Sequence, residues 1–183
     1  MTYKEFVQAM QDIGKNGFPD WDDEYVCYLA QYVEEYGVEP LQSQIIQSGD
    51  PNWCYRFALN IPGADIKKLE KIVIQSGDPY WCTWFAKDVS GADIQRLQEV
   101  VMQSGDLDWC TYFAQHIPGA DIDKLQEIVI QSGDLYWCTW FAGNVPGADI
   151  QRLQEVIIQS GEIQWCTYFA EDVPGADIQR LQK

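Results

Sequence analysis

The sequence predicts an all-α fold: an α-solenoid of stacked two-helix 28-residue repeats with degenerate N- and C-terminal capping units. Three observations predict it. Ser-Gly-Asp returns at Ser48, Ser76, Ser104 and Ser132, and Ser-Gly-Glu at Ser160, with a spacing of 28 residues each time. Trp-Cys, Phe-Ala and Gly-Ala-Asp-Ile recur in the same frame, from Trp53, Phe57 and Gly63 onward. A hairpin of this size cannot bury its own apolar stripe, whereas stacked copies share one core.

Taken in chain order, residues 1–19 read as an N-terminal capping helix. Tyr3, Phe6, Val7, Met10 and Ile13 share one face of it, and Gly14 and Gly17 mark its end. Residues 20–47 form a degenerate repeat, with Leu29-Ala30 in the Phe-Ala position and Leu41 and Ile45-Ile46 on its second half. Residues 48–183 are five helical hairpins, the last one truncated, so that the chain is one continuous domain. The eroded first repeat and the polar Gln179-Arg180 and Gln182-Lys183 of the last fit caps. At roughly 8 to 10 Å per helix layer, six repeats predict a curved rod about 50 to 60 Å long.

Each repeat holds two short helices. Asp78 is a good N-cap and Pro79 a good first residue for helix A, which turns Trp81, Cys82, Phe85, Ala86 and Val89 inward. Ser90-Gly91, Pro-Gly in the other repeats, ends it. Ala92-Asp93 opens helix B, with the carboxylate near the positive end of the helix dipole. Ile94, Leu97 and the triplet Val100-Val101-Met102 follow, and Gly105 stops the helix. The triplet is broader than a surface helix needs and predicts burial between neighbours.

With 46% hydrophobic and 14% aromatic residues, the 183-residue chain has ample apolar surface to bury, which excludes disorder. A net charge of −16 repels phosphate backbones and anionic membranes, so the expected partners include neither nucleic acid nor membrane. The first residues lack the layout of a signal peptide, and no run approaches a membrane span. A cytoplasmic location is expected.

Little in the sequence points to catalysis. Five of the six cysteines, Cys54, Cys82, Cys110, Cys138 and Cys166, share one apolar-face position, so stacking holds neighbours too far apart to bridge. Reduced, buried thiols are expected. One histidine, His116, and no Cys-x-x-Cys cannot supply a zinc site, and His116 sits on the exposed side of its helix. Two carboxylate ladders open the helices: Asp50, Asp78, Asp106, Asp134 and Glu162 in helix A, and Asp65, Asp93, Asp121, Asp149 and Asp177 in helix B. Capping explains both, and a pair that every repeat supplies equally identifies no active site. Phosphate-binding, dinucleotide-binding, nucleophile-elbow and calcium-loop patterns are absent. The expectation is a non-enzyme with no catalytic residue, cofactor or metal.

The informative positions vary between repeats and face outward. Three residues after each recurrent Trp stands Arg56, Trp84, Tyr112, Trp140 or Tyr168, and four residues earlier Asn52, Tyr80, Asp108, Tyr136 or Gln164. These two positions stack on one side of helix A. Tyr80, Trp84, Tyr112, Tyr136, Trp140 and Tyr168 are therefore the candidate partner-binding residues, a line of part-exposed rings beside variable neighbours such as Lys87-Asp88 and Gly143-Asn144. The competing reading has the same rings packing on the next helix A as core between repeats.

The frame Ser-Gly-Asp-x-x-Trp-Cys-x-x-Phe-Ala-x-x-Val-Pro-Gly-Ala-Asp-Ile resembles short helical repeats of bacterial and phage proteins, and in architecture it is similar to the HEAT and tetratricopeptide classes. The resemblance covers about Ser48 to Lys183. The repeat is shorter than the 34-residue tetratricopeptide unit and lacks its Trp-x-x-Leu-Gly pattern, so no ligand-binding residue carries over. It implies an interaction scaffold of phage or bacterial origin.

The expected function is accordingly a protein-binding scaffold or inhibitor that presents an aromatic ladder on an acidic surface to another protein with a basic surface. In a phage this would serve against host defence, masking a nucleic-acid-binding surface with carboxylates in place of phosphates. The alternative is a small-molecule-binding protein or sponge that stacks a planar ligand on the same rings. Apolar Ile178 and Leu181 in the truncated last repeat leave self-association open.

Overall fold

The computed structural model describes residues 33–182. Among them every regular element is a helix and no strand occurs, and successive helices pack on their neighbours in chain order, as an α-solenoid requires. The chain divides between Ala92 and Asp93 into two compact units. The first contains α1 (Val38–Ser48), α2 (Pro51–Asn60), α3 (Ile66–Ser76) and α4 (Pro79–Asp88). The second contains α5 (Ile94–Ser104), α6 (Leu107–His116), α7 (Ile122–Ser132), α8 (Leu135–Asn144), α9 (Ile150–Ser160), α10 (Ile163–Asp172) and the short α11 (Ile178–Leu181). Even numbers are helix A of a repeat and odd numbers helix B. The N-terminal helix read over residues 1–19, and the Leu29-Ala30 half of the degenerate repeat, lie outside the described residues. The second half of that repeat is α1, whose Leu41 and Ile45 are buried in the register of Leu69 and Val73.

Local chemistry fixes each helix start. Asp50, Asp78, Asp106 and Asp134 accept from the backbone N–H of the second or third residue of helix A, and Asp65, Asp93, Asp121, Asp149 and Asp177 from that of the third residue of helix B. Glu162 departs from the expected capping ladder. Its longer side chain makes no cap hydrogen bond at the start of α10. Helix B stops at a glycine in the left-handed region, as at Gly133 (φ 67°), whose N–H donates to the Ile130 carbonyl at 3.1 Å. The serine before that glycine completes the corner. Ser132 Oγ donates to the Val129 carbonyl at 2.7 Å and accepts the Asp134 N–H at 3.1 Å, so Ser-Gly-Asp joins a helix stop to the next helix start.

The core of each unit repeats as well. Phe57 and Phe85 in the first, and Phe113, Phe141 and Phe169 in the second, are fully buried on helix A, and on helix B so are Leu69 in the first and Leu97, Leu125 and Leu153 in the second. Cys54, Cys82, Cys110 and Cys138 are buried free thiols, and Cys166 is half-buried and also free. Within the apolar triplet the middle residue (Val73, Val101, Val129 or Ile157) is sealed, while most of its flanking partners remain half-exposed. The stripe is thus narrower than the triplet implied.

Two corrections to the inward face of helix A follow. Trp81 is only half-buried, as are Trp109, Trp137 and Trp165; only Trp53 reaches the core at 2% exposure. The next-but-one residue, Thr83, Thr111 or Thr139, is buried in its place, its hydroxyl donating to the carbonyl four residues back at 2.6–2.8 Å. A hydroxyl that satisfies itself within its own helix fits a tight contact that an indole cannot enter.

A buried amide ladder, not anticipated from the apolar pattern, joins successive repeats. Gln42 accepts the Asp65 N–H at 2.7 Å in the first unit. In the second, Gln98, Gln126 and Gln154 accept from Asp121, Asp149 and Asp177 at 2.7–2.8 Å and donate to the carbonyls of the same three residues at 3.1–3.3 Å. All four glutamines are at most 1% exposed. Each caps the backbone of the following helix B from inside the core.

Candidate binding face

The outward side of helix A carries the candidate rings. Tyr80, Tyr136 and Tyr168 are 41–51% exposed, while Trp84, Tyr112 and Trp140 are half-buried. This is a part-exposed array and not a sealed core. Five of the six are braced edge-on by the recurrent indole of their own helix, Tyr80 on Trp81 at 4.7 Å, Tyr112 on Trp109 at 5.7 Å, Tyr136 on Trp137 at 5.2 Å, Trp140 on Trp137 at 6.2 Å and Tyr168 on Trp165 at 5.6 Å, while Trp84 lies edge-on to Tyr80 at 6.2 Å. The half-buried Trp81, Trp109, Trp137 and Trp165 therefore belong to this face. Their Trp-Cys frame hid them, because an invariant aromatic in a repeat reads as core. In the first full repeat the pattern breaks: Asn52 is buried and accepts from Arg56 Nε at 2.9 Å, so these positions are a polar pair.

Three of the six candidates converge. In the second unit, Tyr136 and Trp140 of α8 face Trp165 and Tyr168 of α10 across a cleft of about 510 Å³. Thr139, Gly143 and Asn144 lie along its α8 side, and Asp172 closes its α10 end. Tyr112, on α6 of the same unit, does not line it and lies instead tilted against His116, 4.3 Å between ring centroids. Tyr80 and Trp84, on α4, belong to the first unit.

The first unit has the same helix pair in the same register, 84 residues earlier, in α2 and α4. There the position of Thr139 is Tyr55, whose hydroxyl donates to Asp88 Oδ2 at 2.6 Å and whose ring lies 5.9 Å from that of Trp81. The position of Gly143 is Leu59. A ring and an isobutyl group thus stand where the second unit leaves space. Burial, and then the Asp88 carboxylate that accepts its hydrogen bond, raise the Tyr55 phenol well above its usual range.

Some charged groups elsewhere are paired. On helix B, Arg152 pairs with Glu127 at 2.5 Å, Arg180 with Glu155, and Lys68 with Glu39 at 3.4 Å. The Arg152 guanidinium holds the Glu127 carboxyl below its usual range. By contrast, α8 and α10 contain no Lys or Arg. The cleft is aromatic and acidic.

Nucleophilic chemistry finds no support in the thiols. Burial, then the carboxylate at the start of the same helix, pushes Cys54, Cys82 and Cys110 up to about 12 and Cys138 to about 11, so all four are protonated at neutral pH. The Cys82 thiol donates to the Val73 carbonyl at 3.6 Å, and Cys110 to Val101 at 3.5 Å, which are packing roles. No group of three or more His, Cys, Asp or Glu side chains placed to hold a metal occurs among the described residues, and no helix there is long and apolar enough to cross a membrane. No protein-family model, curated protein or solved structure matches the chain.

Proposed function

We propose that the protein is a non-enzymatic solenoid that binds another protein through the aromatic side of its A helices, acting as a scaffold or inhibitor. One observation carries this reading: Tyr80, Tyr136 and Tyr168 stay 41–51% exposed although each is held by a neighbouring ring. Rigid aromatics lose little conformational freedom on contact, which is why such side chains dominate binding energy at interfaces. With a net charge of −16 around them, they favour a basic partner and speed its approach. A nucleic-acid-binding surface of a host defence protein has this chemistry, with the carboxylates of the solenoid taking the place of phosphates.

Affinity capture with the full chain, against its Trp84→Ala/Trp140→Ala variant, tests the reading. The intact protein should retain a basic protein that the variant loses, both having the same helical circular dichroism. Equal capture by the two would remove the aromatic face from the interface. The cleft in the second unit favours a second reading, in which a small planar ligand stacks between the rings. Such a ligand would raise the melting temperature in a thermal-shift screen, and a binder of proteins alone would show no small-molecule hit.

A further inference from the structure

The cleft between α8 and α10 has counterparts within the same chain, and the differences from them point to its occupant. In α4, Lys87 places its ammonium over the Trp84 ring, 4.6 Å from the centroid. Trp140 stands in the register of Trp84, and the register of Lys87 is Gly143. The second tryptophan therefore has no cation of its own from that position.

Gly143 is unusual in its own right. Every other described glycine has a positive φ that a side chain would strain, whereas Gly143 lies inside a helix, where glycine is a poor choice. The other repeats carry Leu59, Lys87, Gln115 and Glu171 there. A Cβ at Gly143 would meet the Asp172 carbonyl oxygen at 3.3 Å, so its absence also lets the end of α10 approach.

The carboxylate completes the pattern. Asp88 accepts the Tyr55 hydroxyl in the first unit, but Thr139 replaces that tyrosine in the second and turns its own hydroxyl to the Leu135 carbonyl at 2.8 Å. Asp172 lines the cleft with no side-chain hydrogen bond or ion pair among the described residues. Relative to the α2–α4 pair the cleft has lost the Tyr55 phenol donor and the Arg56 cation, has the Tyr136 and Trp140 rings in place of Asn52 and Arg56, and has kept the carboxylate; relative to α4 its tryptophan has also lost the Lys87 ammonium. Electron-rich ring faces and an acid attract a cation.

Building on the protein-binding reading above, we propose that this cleft receives an arginine side chain from a basic segment of the partner. A planar guanidinium can stack face-on on Trp140 and keep its in-plane N–H fork for Asp172, a better geometric match than the point charge of an ammonium. The 510 Å³ of space exceeds one side chain and leaves room for the adjoining backbone.

The test uses the full chain and an acetylated, glycine-spaced arginine peptide, with its citrulline analogue as the neutral isostere. Binding is read from the indole N–H resonances of Trp140 and Trp165. The arginine peptide should shift both, and the citrulline peptide should bind at least tenfold more weakly. Gly143→Lys, which restores the cation found in α4, should weaken binding at least tenfold, whereas the charge-matched Gln115→Lys should change it less than twofold. Asp172→Asn should weaken it three- to tenfold, and it serves alone should Gly143→Lys fail to fold. Equal binding of citrulline, an unchanged affinity in Asp172→Asn, or equal losses in Gly143→Lys and Gln115→Lys would overturn the proposal. Failure here with partner capture still dependent on Trp84 and Trp140 would leave the wider reading intact. Peptide binding in the cleft with capture independent of those residues would do the reverse.

Discussion

Replacing Gln126 by methionine isolates the amide ladder from the volume it fills. The two side chains are nearly equal in size, so no cavity is made, and Gln126 is fully buried with neither amide atom reaching water. The change removes the acceptor of the Asp149 N–H at 2.7 Å and the donor to the Asp149 carbonyl at 3.3 Å. Two neutral hydrogen bonds contribute roughly 1 to 3 kcal/mol net, and a buried N–H left without a partner costs about 1 to 3 kcal/mol more. The longer bond and the extra lone pair of the carbonyl favour the lower half, so the expected destabilisation is about 2 to 4 kcal/mol. Urea unfolding followed by circular dichroism should show the unfolding free energy falling by that amount. Native-state hydrogen exchange should show the Asp149 amide losing protection first, because the bonds join one repeat to the next. An unfolding free energy changed by less than about 0.5 kcal/mol, with Asp149 still protected, would refute the view that these amides hold the repeats together.

Further outcomes follow from the caps and thiols. Asp134→Ala should cost about 1 kcal/mol in urea unfolding, Glu162→Ala should be near neutral, and Glu162→Asp should add about 0.5 to 1 kcal/mol by making the missing cap. The buried thiols should make stability fall at alkaline pH: Cys110 ionises near about 12 in the folded chain, against roughly 8.5 when unfolded. Their contribution is thus complete below about pH 8.5 and is lost as pH rises towards 12, and Cys110→Ala should flatten the slope of unfolding free energy against pH by one proton. In the native protein at neutral pH, iodoacetamide should modify half-buried Cys166 before Cys82, Cys110 or Cys138, as peptide mass mapping would show. Uniform labelling of the four would contradict the packing described.

Most of the fold was legible because the repeat presents the same local signal several times. Asp78 before Pro79, and Gly105 at the end of a helix B, specify backbone conformations that depend little on the rest of the chain. The amide ladder was not legible, since Gln98, Gln126 and Gln154 look like surface residues of an amphipathic helix and acquire their partners 23 residues away. The recurrent tryptophans misled for a related reason. Repetition shows that a position has one role in every repeat without showing whether that role is to fill the core or to brace an outer ring. The six candidate rings could be placed on the outward side, but the convergence of Tyr136, Trp140 and Tyr168 on one cleft depends on the small residues at Thr139 and Gly143, and absent volume carries little sequence signal.

The frame and the face are separable for a physical reason. Ser-Gly-Asp corners, buried glutamines and the phenylalanine core satisfy backbone and apolar demands without using the outward positions of helix A. Those positions are then free to differ at small cost in stability. They do so in a patterned way: the first unit fills its helix-A pair with Tyr55 bonded to Asp88, and the second leaves the matching space open beside Asp172. Had the outward residues drifted only under a demand for solubility, a glycine within α8 beside part-exposed rings would be an unfavourable choice on both counts, because it weakens the helix and bares apolar surface. The proposed binding would give that glycine a compensating use.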